Sequence, residues 1–173
     1  MNYKVLKNGE LLRVHSCKVY PKPYNSTEHM EYVMFNVDDR EEIVIESETE
    51  IKSAVIRPLS AGISFEISFG KIILSVDRPV KLSVEINGSS NNNLMIFAHK
   101  EEFIGPTHNY IKITQSEYKT GTLLIEKDNT TVYIEEGATL YGNIIAKNCN
   151  NITICGRGRV CMERYTCLLY TSP

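Results

Sequence analysis

Hydrophobic and polar side chains alternate with a period of two through most of the sequence up to His99. Val80, Leu82, Val84 and Ile86 fall on one parity and Lys81, Ser83 and Glu85 on the other. The same pattern sets Ile63, Phe65, Ile67 and Phe69 against Ser64, Glu66 and Ser68. Successive Cβ atoms leave a strand on opposite sides, so each run predicts a half-buried strand. Val84 and Phe65 are expected inside, Glu85 and Glu66 outside. Further strands are predicted over 13–20, 31–37, 42–46, 52–57, 71–76 and 94–99. Between them stand turn-forming residues, among them Phe69-Gly70, Arg78-Pro79 and Asn87-Gly88. Asn-Gly tolerates the positive φ of a tight hairpin turn. A series of short strands without a 3.6-residue period predicts an all-β chain that begins with a two-sheet sandwich over residues 1–107.

Beyond Gly105 the pattern changes. The segment from Leu124 to Ile134 lies over the segment from Ile144 to Ile154, apolar on apolar and polar on polar, at an offset of twenty residues. Short apolar runs separated by Asn/Thr-rich turns at such a period predict a β-solenoid, in which each rung buries its apolar side only against the next. Val132, Ile134, Ile152 and Ile154 are expected to stack on adjacent parallel rungs. About three repeats are needed for stability, so this array reads as the beginning of a longer one.

Composition narrows the function. The 173 residues accommodate one small domain and part of another. Nineteen basic and twenty-one acidic residues are intermixed, giving a net charge of −2 with no basic field for phosphates, so nucleic acid is not an expected partner. No apolar run reaches the roughly 18 residues that span a bilayer, and the first residues lack the apolar core of a signal peptide. A soluble, cytoplasmic protein without membrane partners is expected, its oligomeric state open. Cys149, Cys155, Cys161 and Cys167 are spaced by six. That spacing lacks the paired knuckles or neighbouring histidines of a zinc site, and with Cys17 they read as semi-buried thiols in a reducing compartment. No metal-ligand set and no cofactor motif are expected.

Two stretches carry a resemblance. Thr131-Val132-Tyr133-Ile134-Glu135-Glu136-Gly137-Ala138 and Asn151-Ile152-Thr153-Ile154-Cys155-Gly156-Arg157-Gly158 resemble the entry into the right-handed parallel β-helix of polygalacturonase-like and dextranase-like glycoside hydrolases. Upstream, the segments around Arg57-Pro58-Leu59-Ser60 and Leu94-Met95-Ile96-Phe97-Ala98 are similar to the β-sandwich that precedes the helix in many bacterial members. The resemblance implies the sandwich followed by first helix rungs over 108–166. It also implies a polysaccharide or oligosaccharide substrate, cleaved with inversion by aspartates on middle rungs. Those aspartate motifs are not found beyond residue 120, and the chain departs from the family after Gly158, reading Arg159-Val160-Cys161-Met162. Residues 167–173 look like translated sequencing adaptor, as on metagenomic reading frames. The chain is therefore expected to be the N-terminal fragment of such an enzyme. A non-catalytic carbohydrate-binding, adhesin or tail-spike protein on the same scaffold is the alternative, since fold does not fix function.

No catalytic residue can be named. Asp38-Asp39 is the sole Asp pair; paired carboxylates can act as acid and base, but beside Arg40, Glu41 and Glu42 they read as a solvated turn. Glu42, Glu46, Glu48 and Glu50 share a parity with Val44, opposite Ile43, Ile45 and Ile51. That acidic face offers oxygens to calcium, although a plain solvated face is the simpler account. Tyr20, Tyr24, Tyr32 and Tyr110 offer flat apolar rings on which a sugar could stack, or are rim and turn residues. The sequons at Asn25, Asn87, Asn129 and Asn151 carry no meaning without export.

Overall fold

A computed structural model describes residues 2–18, 29–89, 91–101, 109–114 and 118–162. The chain is all-β apart from a single 3₁₀ turn, Leu59–Ala61, among the described residues. It divides into two compact units, Met1–Glu102 and Phe103–Pro173.

The first unit contains β1 (Tyr3–Lys7), β2 (Glu10–Leu11), β3 (His15–Lys18), β4 (His29–Asn36), β5 (Glu41–Ser47), β6 (Ala54–Arg57), β7 (Phe65–Ser68), β8 (Lys71–Val76), β9 (Val80–Ile86) and β10 (Leu94–His99). They form two five-stranded sheets, ordered β2-β1-β5-β8-β7 and β3-β4-β10-β9-β6. Pairing is antiparallel except between β4 and β10. One apolar core joins Val5, Ile43, Ile45, Ile72 and Leu74 of the first sheet to Val33, Leu82, Val84, Leu94 and Ile96 of the second. Each fully buried aliphatic side chain of this kind contributes about 1.5–3 kcal/mol. Glu31 of β4 is also buried, and its carboxylate accepts from the backbone N–H groups of Asn2, at 2.8 and 3.0 Å, and of Tyr3, at 3.1 Å. The start of the first sheet is thereby tied to a strand of the second.

The predicted parity of β9 is observed, with Val84 0% exposed. Two details differ from expectation. Phe65 is 37% exposed, because β7 is the last strand of its sheet. It sits opposite Leu74, which is buried, so its ring points to the core side but overhangs the edge. Glu85 is only 15% exposed at its side chain, beside Arg57 at 2.8 Å.

The second unit contains β11 (Asn109–Ile113), β12 (Tyr118–Ile125), β13 (Thr130–Ile134), β14 (Thr139–Ala146), β15 (Thr153–Gly156) and β16 (Arg159–Cys161). Odd- and even-numbered strands separate into two three-stranded sheets, β11-β13-β15 and β12-β14-β16, in which every pair is parallel. The chain therefore visits the two sheets alternately, and Ile113, Ile125, Val132, Ile134, Ala138 and Leu140 fill the core of this unit. Asparagines stack at one corner: Asn151 Nδ2 donates to Asn129 Oδ1 at 2.6 Å, and Asn109 Nδ2 to the Asp128 carbonyl at 2.8 Å. Asn129 and Asn151 adopt φ values of 54° and 55°, which asparagine tolerates better than most residues.

The twenty-residue offset needs correction. It holds for β14 with β16, where Leu140 lies opposite Val160. It becomes 21 for Ile113 with Ile134, and 22 for Val132 with Ile154. Ile134 consequently lies opposite Gly156, two residues from the expected partner Ile154. A bulge between Lys119 and Gly121 changes the register within one strand pair as well. On the last strands Ile154 and Val160 are 53% and 50% exposed. The adaptor-like segment 167–173 lies outside the described residues.

Candidate functional site

The residues singled out from sequence do not assemble into one site. Asp38 and Asp39 occupy the exposed turn between β4 and β5, where Asp39 Oδ1 accepts from the Arg40 N–H at 2.7 Å. The acidic row ends with β5 at Ser47, so Glu48 and Glu50 lie beyond the strand. Glu46 is held between Lys71 Nζ at 2.7 Å and Lys4 Nζ at 3.3 Å. Lysines from both neighbouring strands therefore supply the opposite charge that the calcium reading would require of an ion. Among the described residues no group of three or more His, Cys, Asp and Glu is placed to hold a metal ion. Cys17, Cys149, Cys155 and Cys161 are half-buried and outside any disulfide. Asn87 serves the sandwich, donating from Nδ2 to the Glu50 carbonyl and accepting at Oδ1 from the Lys52 N–H.

Hydrogen bonds from Lys71, then Lys4, hold the Glu46 carboxyl below its usual range against a smaller opposing effect of desolvation. For Glu41 burial raises the pKa, but hydrogen bonds from Lys7 and Asn8, the charge of Lys7 and the Asp38 backbone act against it and the result is lowered. A depressed carboxylate pKa contributes stability above the unfolded value, here about 4.5, and loses it as pH falls through the folded one. The urea midpoint should therefore drop between about pH 6 and pH 3, and Glu46→Gln should make that drop smaller. An unchanged drop would mean that Glu46 does not contribute to it.

The tyrosine platform breaks up. Tyr20 and Tyr24 lie outside the described residues. Tyr32 is 7% exposed, its ring stacked on His15 at 5.0 Å and edge-on to Phe97, on the face of its sheet opposite the core residues Val33 and Ile96, so it is covered and offers no open ring. Tyr110 is 45% exposed and has a partner that the sequence reading did not name, Tyr133. The two ring centroids are 6.4 Å apart and the planes differ by 22°.

The arrangement follows from strand parity. On β11, Ile111 and Ile113 pack in the core, which sends Tyr110 and Lys112 outward; on β13, Val132 and Ile134 pack inside and Thr131 and Tyr133 take the opposite parity. Parallel pairing sets Tyr110 opposite Thr131 and Lys112 opposite Tyr133. Immediately after β13, Glu135 closes an ion pair with Lys112, Nζ to Oε1 at 2.5 Å. The hydrogen bond to Glu135 raises the Lys112 pKa, and both tyrosines act on it in the same direction. Two aromatic rings and an ion pair thus share one outward sheet face. The twenty-residue comparison begins at Leu124 and so does not reach Tyr110; carried one rung back, it would set Tyr133 beside Ile113 instead of Lys112. Beside Tyr110, a groove of about 440 Å³ is lined by Asn109, Leu124, Glu126, Lys127 and Thr130 among others. These groups can stack on a ring and exchange hydrogen bonds with hydroxyls. Glu135 is held by Lys112 and keeps acceptor sites for hydroxyl groups.

No helix among the described residues is long and apolar enough to cross a membrane. No protein-family model matches the sequence, and no curated protein matches it. Among solved structures, the chain is similar to a dextranase, Dex49A from Penicillium minioluteum, with a TM-score of 0.54 and 17% identity. The match covers 95% of this chain and 46% of Dex49A, so the chain spans less than half the length of that enzyme. At this identity the likeness shows a shared all-β fold alone.

Proposed function

We propose that this chain is the N-terminal portion of a glycoside hydrolase that cleaves a polysaccharide or its fragments. In this reading residues 1–107 are an accessory sandwich, 108–166 are the first rungs of a right-handed parallel β-helix, and 167–173 are a non-native tail. The order of units carries the proposal: a two-sheet core followed by alternating parallel strands, matched over 95% of the chain to Dex49A. The exposed Ile154 and Val160 on the last strands also support it, since a following rung would bury them. Catalytic carboxylates stand on later rungs, and the part described here supports and binds. A second reading is a non-catalytic carbohydrate-binding protein of the adhesin or tail-spike kind, since the same scaffold does not fix function.

Reducing-sugar release separates the two. The 173-residue chain should release none from dextran or pectic substrates, whereas a longer protein carrying the following rungs should hydrolyse one of them. Hydrolysis by the short chain would return attention to Asp38 and Asp39. A longer protein that binds glycan and cleaves nothing would favour the second reading.

A further inference from the structure

Glycan polymers differ sharply in charge, and the outward face of β11 and β13 discriminates among them. Tyr110 and Tyr133 present aromatic rings from adjacent strands, and stacking of a ring on such a surface needs apolar C–H faces rather than charge. Lys112, two residues on from Tyr110 and opposite Tyr133, is the cation of this face, and Glu135 already neutralises it at 2.5 Å. An ammonium offers three donors and a carboxylate about four acceptor sites. One contact between Lys112 and Glu135 leaves donors and acceptors over for hydroxyl groups. A uronate would instead bring its carboxylate beside Glu135 and compete with it for the same ammonium.

We propose that the face formed by Tyr110, Lys112, Tyr133 and Glu135 is a binding subsite for the uncharged pyranose rings of a neutral glycan, and that it excludes acidic, pectic polymers. This rests on the glycan-cleaving reading above and adds the substrate class to it. Thr153, exposed on the next strand, continues the face with a further hydroxyl. The tyrosine rings supply the area, and the ion pair supplies orientation and selection.

Affinity electrophoresis of the 173-residue protein, through gels containing dextran, a neutral β-glucan or polygalacturonate, tests this. A neutral gel should retard the protein and polygalacturonate should not. Tyr110→Ala and Tyr133→Ala should each weaken retardation about tenfold, which corresponds to roughly 1.4 kcal/mol, while Tyr133→Phe keeps the ring and the binding. Glu135→Gln frees the Lys112 cation and should add retardation by polygalacturonate, a gain that misfolding cannot mimic. Three results would each overturn the proposal: stronger retardation by polygalacturonate than by either neutral polymer, undiminished binding in both alanine variants, or no retardation in any gel. The hydrolysis assay on the longer protein reads a different property, so the subsite can fail while the enzyme reading stands.

Discussion

Val84→Asp should cost on the order of 3 kcal/mol or more and leave the sandwich largely unfolded at room temperature. Val84 is 0% exposed and lies between strands, opposite Leu94 on β10 and Ile56 on β6. Both neighbours are buried, and no cation is among the side chains of its core cluster. An aspartate there must give up hydration without a partner, or take up a proton and bury an unsatisfied hydroxyl. Loss of the β9 and β10 amide signals in an NMR spectrum would report the effect. Lys81→Asp on the same strand is the control, because Lys81 is exposed and should tolerate the change within about 0.5 kcal/mol. Equal damage from both would show that the alternation does not set which side of β9 is buried.

Gly142→Ala is the second large effect, and it acts on the other unit. Gly142 has φ of 143° and faces Gly121, so a Cβ would stand 2.3 Å from the Gly121 carbonyl oxygen and 2.7 Å from its carbon. Backbone atoms cannot swing aside as a flexible side chain can. The β12–β14 pair would have to open at the bulge, at a cost of about 3 kcal/mol or more. Gly137 gives the comparison: its φ is 82°, but nothing lies within 4 Å of the added carbon. Gly137→Ala should therefore show only the conformational cost, about 1 kcal/mol. Hydrogen exchange of the Leu123 to Ile125 amides should accelerate strongly in the first variant and slightly in the second. Similar exchange in both would mean that the close approach of the two glycines is not what limits this pair.

What could be read from the sequence was parity, and what could not was coverage and register. Val84 illustrates the first, since alternation along one strand decides which side chains share a face. Phe65 illustrates the second: its parity is right, but its exposure depends on β7 ending the sheet, a property of strand order that no local pattern contains. β1 was missed because Tyr3-Lys4-Val5 is followed by Leu6, which breaks a short alternation, although Tyr3 and Val5 are both buried. Glu31 and Glu41 look like surface residues by type, yet both are buried, one against backbone N–H groups and the other with Lys7.

The coil was legible as a repeat and not as a register. Turn lengths and the bulge at Lys119/Gly121 vary the spacing between 20 and 22 residues, so a constant offset places Tyr133 beside the wrong residue. The candidate site lies where that error mattered. Tyr110 was named from its residue type, but its grouping with Tyr133, Lys112 and Glu135 needs the 21-residue parallel pairing.

The resemblance to β-helix glycoside hydrolases, carried into the proposed function, also implies inversion at the anomeric carbon. An inverting pair leaves room for a water, with carboxyl groups about 6.5–9.5 Å apart, against about 5 Å for a retaining pair. The measurement that tests the central claim most directly is NMR of the sugar anomer in the first minutes of glycan hydrolysis by the longer protein. The account predicts product of the configuration opposite to the bond cut. Product of retained configuration, or no product from any glycan, would contradict it.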